Sequence, residues 1–144
     1  MSKEKPDYHD ADLILRLYEM RREPVMREAR STINSQFWPQ AWDDVLAVTK
    51  SDHPLNPAFR QTSSYWEMAF GMARHGIVHA DYMAENSGEA FFLYAKMAPF
   101  VERYRKEVST LGFRNVEWIA TECAGGRRMF EIISARVKKI LESR

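Results

Sequence analysis

The stretch NPAFRQTSSYWEMAFGMARH, Asn56 to His75, decides the fold class. Asn56-Pro57 is a helix-start signal. An amide side chain can accept from first-turn amides, and proline is at home at the first helical position, where its missing N–H has no partner to lose. From Ala58 to His75 the apolar residues recur at the helical period. On a helical wheel Phe59, Trp66, Ala69, Phe70 and Ala73 form one stripe, and Tyr65, Met68 and Met72 form a second beside it. Together they span about 200°, twice the arc of roughly 100° that a surface helix needs. Arg60, Glu67 and Arg74 share the remaining polar strip. A helix this apolar is central to a bundle, or it also faces another subunit.

The same period extends outward in both directions. Upstream, Leu13, Ile14, Leu17, Tyr18 and Met20 share a face of a helix over about Asp10–Arg22, with Asp7 or Asp10 as its cap. Pro24 opens a second helix, aligning Val25, Met26, Ala29, Ile33 and Phe37, and Pro39 starts a shorter segment with Trp42, Val45 and Leu46. Downstream, Ile77–Asn86 holds a short helix. A longer one after Ser87 is read as burying Leu93, Tyr94, Met97, Phe100, Val101, Tyr104 and Val108, with a kink expected at Pro99. Val116, Trp118, Ile119 and Cys123 mark another helix, and Arg127–Glu142 the last. No run of alternating β-branched residues interrupts the series. The pattern predicts an all-α protein: an irregular bundle of about five to seven helices, one domain over residues 7–144 behind a flexible tail, Met1–Pro6.

At 144 residues the chain can bury a core without disulfides or metal. Twenty-one Lys and Arg against twenty Asp and Glu leave a formal charge of +1. That balance gives no electrostatic reason to expect nucleic acid or an anionic membrane as partner. The longest apolar run, Ala90–Ala95, falls far short of the roughly 20 residues that span a bilayer, and the polar N-terminus holds no secretory signal. A cytoplasmic location is the simplest expectation. Eighteen aromatics and eight methionines are a heavy load of bulky, adaptable side chains.

Each constellation that suggests chemistry has a plainer counterpart. His75 and His79 are spaced to share a helical face and a metal, but Gly76 between them is a place for the helix to end. Cys123 follows Val116, Ile119 and Ala120 in register, as a small core residue does. Arg60, Glu67 and Arg74 could clamp a carboxylate or phosphate, or form a solvated strip. Gly125-Gly126 before Arg127-Arg128 suggests a phosphate at a helix N-terminus, yet lacks the preceding strand and the glycine spacing of a nucleotide loop. Trp38 and Trp42 flank a proline break, either as core plugs or as interface anchors.

Phe37-Trp38-Pro39, Asp43-Asp44, Phe59-Arg60-Gln61 and Ser64-Tyr65-Trp66-Glu67-Met68, with Glu85-Asn86-Ser87-Gly88-Glu89 and Pro99-Phe100, give the stretch Leu13–Arg105 a resemblance to an uncharacterised bacterial all-helical family. The resemblance implies a bacterial origin and a helical fold, and gives no residue a role. No catalytic residue, cofactor or metal is assigned, and the balance leans away from an enzyme. Two functions are carried forward. One is an interaction module that self-associates as a homo-oligomer or binds a partner protein. The other is a small-molecule-binding bundle, possible as an enzyme, with a pocket near Tyr65, Trp66 and Glu67. The candidate ligand or interface residues are Tyr65, Trp66, Glu67, Met68, Met72, His75, His79, Trp38 and Trp42.

Overall fold

Acidic side chains start the first three helices. The computed structural model of the chain describes residues 3–144. In α1 (Tyr8–Arg21), Asp7 and Asp10 form a reciprocal capping box, each carboxylate accepting from the other's backbone N–H. In α2 (Pro24–Gln36), Glu23 accepts from Met26 N–H and proline holds the first position. In α3 (Trp42–Val48), Asp44 reaches back to the amides of Gln40 and Ala41. These bonds satisfy donors that a helix leaves open at its start.

Then come α4 (Asn56–Arg74), α5 (Ala80–Glu85), α6 (Gly88–Met97), a 3₁₀ turn over Ala98–Phe100, α7 (Val101–Glu107), α8 (Arg114–Glu122) and α9 (Ala124–Glu142). There is no strand among the described residues. Six helices of nine residues or more carry the bundle, and α3, α5 and α7 are short connectors. The kink expected at Pro99 is the 3₁₀ turn between α6 and α7. No helix among the described residues is long and apolar enough to cross a membrane.

The wide apolar arc of α4 is consumed inside the chain. α4 packs against α2, α5 and α8, while α9 packs against α5, α6 and α8. Phe59, Trp66, Ala69, Phe70 and Ala73 are buried, and Phe70 meets Phe91 at the centre with ring centroids 5.4 Å apart. Burying a side chain of this size contributes roughly 1.5–3 kcal/mol. In the second stripe, Tyr65 is buried with its hydroxyl donating to the Leu17 carbonyl, and Met72 packs against the core. Only Met68 stays open to solvent.

α1 is peripheral, and only a narrow stripe of it is covered. Ile14 and Leu17 are buried as the pattern predicts, but Tyr18 and Met20 of the same predicted face are about half exposed. Of the predicted tail, Met1 and Ser2 lie outside the described residues. Lys3 reaches Asp10 at 2.8 Å, and the fully buried Asp10 carboxylate also accepts from His79 N–H.

Asn56, predicted as the cap of α4, has another role. Its buried side-chain amide donates to Val48 O at 2.8 Å and holds the end of α3, while Leu55 N–H is taken by His53 Nδ1. The last helix, expected from Arg127, begins at Ala124, so that Gly125-Gly126 lies in the first turn of α9 and the break falls at Cys123 in extended backbone. A Cβ on Gly126 would stand 1.9 Å from Ile119 O. Backbone contact between α8 and α9 therefore requires glycine there.

Candidate functional site

The polar edge of α4 faces the loop between α7 and α8, and that loop is fixed from three directions. Arg105 donates from Nε to Gly112 O at 2.9 Å and from Nη1 to the Glu117 carboxylate. Gly112 lies so close over the Tyr104 ring that a Cβ would approach it to 2.4 Å. Phe113 takes a left-handed backbone, φ 58°, with its ring buried against Phe59 and Tyr104. A non-glycine residue in that region costs on the order of 1 kcal/mol, here offset by aromatic burial.

Phe113 occupies the N-cap position of α8 and has no side-chain acceptor to offer. Glu67 supplies it from α4. Its two carboxylate oxygens accept from Asn115 N–H at 3.0 Å and Val116 N–H at 2.9 Å, while Asn115 Nδ2 donates to Glu67 O at 3.0 Å. Burial pushes the Glu67 carboxyl up, against the pull of these two amides and of Arg105 and Arg114.

Between α4 and this loop runs an open groove of about 490 Å³. Ser63, Ser64, Glu67, Met68, Arg74 and His75 form one side; Tyr104, Ser109 and Leu111–Asn115 form the other. A second hollow of about 620 Å³ continues it past Arg60 toward Ser51, sharing Ser63, Ser64 and Tyr104. Among the described residues, Arg60, Arg74 and Arg114 have no carboxylate within ion-pair distance.

The groove gathers three of the predicted site residues: Glu67, Met68 and His75. Tyr65 and Trp66 stand behind it in the core, their rings edge to face at 5.0 Å. Met72 also packs inward. His79 is elsewhere: α4 ends at Gly76 in a left-handed turn, φ 76°, and His79 Nδ1 accepts from Tyr82 N–H to cap α5. The two histidines thus sit on different elements, and no cluster of three His, Cys, Asp or Glu side chains able to hold a metal occurs among the described residues. Trp38 lies edge-on to Phe92 at 5.5 Å under the Lys96 ammonium, and Trp42 lies under Arg103. Both tryptophans are half-buried against the core.

Burial and Asp81 push the half-buried Cys123 thiol up, away from the thiolate a nucleophile needs. The amide at the start of α9 that could greet a phosphate, Gly125 N–H, already donates to Asp81 Oδ1 at 2.9 Å.

Three positions with unusual surroundings escape a helical wheel. Arg114 and Leu111 reach the groove only through the loop. Lys96, 2% exposed, donates from Nζ to Ile33 O at 3.0 Å and has no carboxylate partner among the described residues. Its signal in the sequence is a lone lysine beside the longest apolar run, between Tyr94 and Met97 on the inward register.

Residues 7–123 match the model of a family described as a domain of unknown function (DUF4760), a stretch that includes both walls of the groove. No curated protein and no solved structure matches the chain.

Proposed function

We propose a binding role for this chain, which belongs to the family described as a domain of unknown function (DUF4760): a helical module that takes a small molecule in the groove between α4 and the Ser109–Arg114 loop. One observation carries the reading. Glu67, Met68 and His75 converge on a groove of ligand size whose far wall is already fixed by Gly112, Phe113 and Arg105. Both oxygens of the one carboxylate lining the groove are held by α8 amides, which commits Glu67 to the fold and favours a binding role over proton transfer by that residue. Near-balanced charge and a single half-buried thiol support a cytoplasmic setting, with neither nucleic acid nor membrane as partner, and a bacterial origin is supported by the family resemblance alone. Backbone amide mapping of hits from a small-molecule fragment screen tests the reading. Binders should shift residues 63–75 and 109–115 together. Hits that map elsewhere, or no hits at all, refute it.

A second reading, self-association, is favoured by a different surface. Tyr8, Leu15 and Tyr18 are 84%, 62% and 47% exposed, and they follow one outer stripe of α1. A dimer by light scattering that dissociates on Leu15→Glu supports it. A clean monomer at high concentration ends it.

A further inference from the structure

We propose that the ligand of the groove is a small organic anion, a carboxylate or a phosphate, gripped by Arg74 and Arg114; this rests on the groove being a binding site. The first support is charge. Arg74 and Arg114 are half-buried in opposite walls, one in the last turn of α4 and one in the first of α8. Arg60 continues the same strip into the adjoining hollow. Glu67 is the single carboxylate among the residues lining the two hollows, and its charge is turned toward the positive end of the α8 dipole. Arg114 thus feels the Glu67 charge only at a distance, and neither it nor Arg74 has a carboxylate within ion-pair distance among the described residues. A partly desolvated guanidinium gains most from an anion that accepts two parallel N–H bonds.

The second support is shape. Met68 and Leu111, 45% and 60% exposed, stand on the same groove and offer apolar surface to the rest of such a molecule. Inorganic anions alone would leave that surface unused, whereas a neutral apolar ligand would leave the arginines solvated and contribute nothing there.

Benzoate and benzamide separate these contributions, because they share a shape and differ in charge. Amide shifts on titration with benzoate should saturate and stay within residues 63–75 and 109–115, with benzamide weaker by about tenfold or more. Arg74→Gln and Arg114→Gln should each weaken benzoate by a similar factor and leave benzamide unchanged, the unchanged benzamide shifts showing that the variants are folded. Inorganic phosphate, run alongside, distinguishes the sources: binding tighter than benzoate assigns a phosphate, and weaker binding a carboxylate. If benzamide binds the groove as well as benzoate does, the anion proposal falls while the groove stands. If no probe shifts the groove, both fall. Benzoate binding insensitive to both arginine substitutions also overturns the proposal.

Discussion

The native protein should gain stability with pH above neutrality, and replacing Lys96 with methionine should abolish that rise. The Lys96 ammonium is buried beneath Trp38 and Phe92, 4.0 and 4.5 Å from their ring centroids, and bonds to Ile33 O and Asn34 O at the end of α2. Burial, and then the like charge of Arg144, push the amine down to about 7 from its ordinary 10.5. Below pH 7 the folded and unfolded chains both carry the proton, and the whole desolvation penalty is present. Between pH 7 and 10.5 the unfolded chain holds more protons than the folded one, so stability rises with pH. The slope approaches about 1.4 kcal/mol per pH unit at its steepest. For a chain of this length that is roughly 3–6 °C in melting temperature per unit.

Methionine keeps the length of the side chain and removes the charge. It also gives up two hydrogen bonds, worth about 1 kcal/mol each. Ile33 O keeps the Phe37 N–H, so one carbonyl stays satisfied. The expected result is a pair of crossing curves: Lys96→Met as stable as the native protein or more so near pH 7, and less stable near pH 9.5. Tyr65, Tyr94 and Tyr104, all pushed up by burial, oppose the trend once tyrosines begin to ionise, which sets the upper end of that window. Urea melts at fixed ionic strength measure the slope. Parallel curves for the two proteins, or a Lys96 side-chain resonance titrating near 10.5, would refute the reasoning.

Glu67→Gln turns a donor toward one of the two α8 amides and removes the charge at that helix's positive end, so it should cost about 1–3 kcal/mol and lower the melting temperature by several degrees; an unchanged melt contradicts the cap. Gly126→Ala forces Cβ into Ile119 O and should cost about 3 kcal/mol or more, visible as a drop in the urea midpoint, whereas a neutral result means that α8 and α9 do not touch there. Burial pushes the Asp10 carboxyl up, but Lys3 and the amides of Asp7 and His79 bring it down to about 2. Its folded value lies below its ordinary one, so its contribution is present above about pH 4 and is lost as pH falls toward 2. Asp10→Asn should flatten that acid limb in a pH titration of stability, and an unaltered limb would show the contribution to be absent.

The wheel of α4 showed which residues are apolar but not what covers them, because periodicity records the width of an arc and not its neighbours. The wheel therefore fits a central helix and a subunit interface equally well, whereas α2, α5 and α8 cover both stripes except at Met68. Asn56 illustrates a local signal with a long-range use. Asn-Pro does mark the start of a helix, yet the amide is taken by Val48 O across the turn that joins α3 to α4. Within the site, Glu67, Met68 and His75 were legible because they belong to one helix. Arg114 and Leu111 were not, since their approach depends on the left-handed turn at Phe113, a conformation that a phenylalanine in sequence does not announce.

That turn also explains how the groove is tied to the rest of the fold. Several helix ends are completed by side chains from other helices, among them α8 by Glu67, α9 by Asp81, α3 by Asn56, and the last turn of α2, which has no basic residue of its own, by Lys96. An isolated segment cannot supply these partners, so the ends are satisfied only once the bundle has assembled. Helix termini and tertiary packing then form together, which makes the bundle cooperative where its short helices alone are weak. The groove wall stands on one of these joints. Glu67 fixes the start of α8, and with it Arg114, while forming no ion pair with Arg74 or Arg114. A carboxylate committed to the fold is thereby what leaves two arginines on the groove without an ion pair, the condition on which the anion proposal rests.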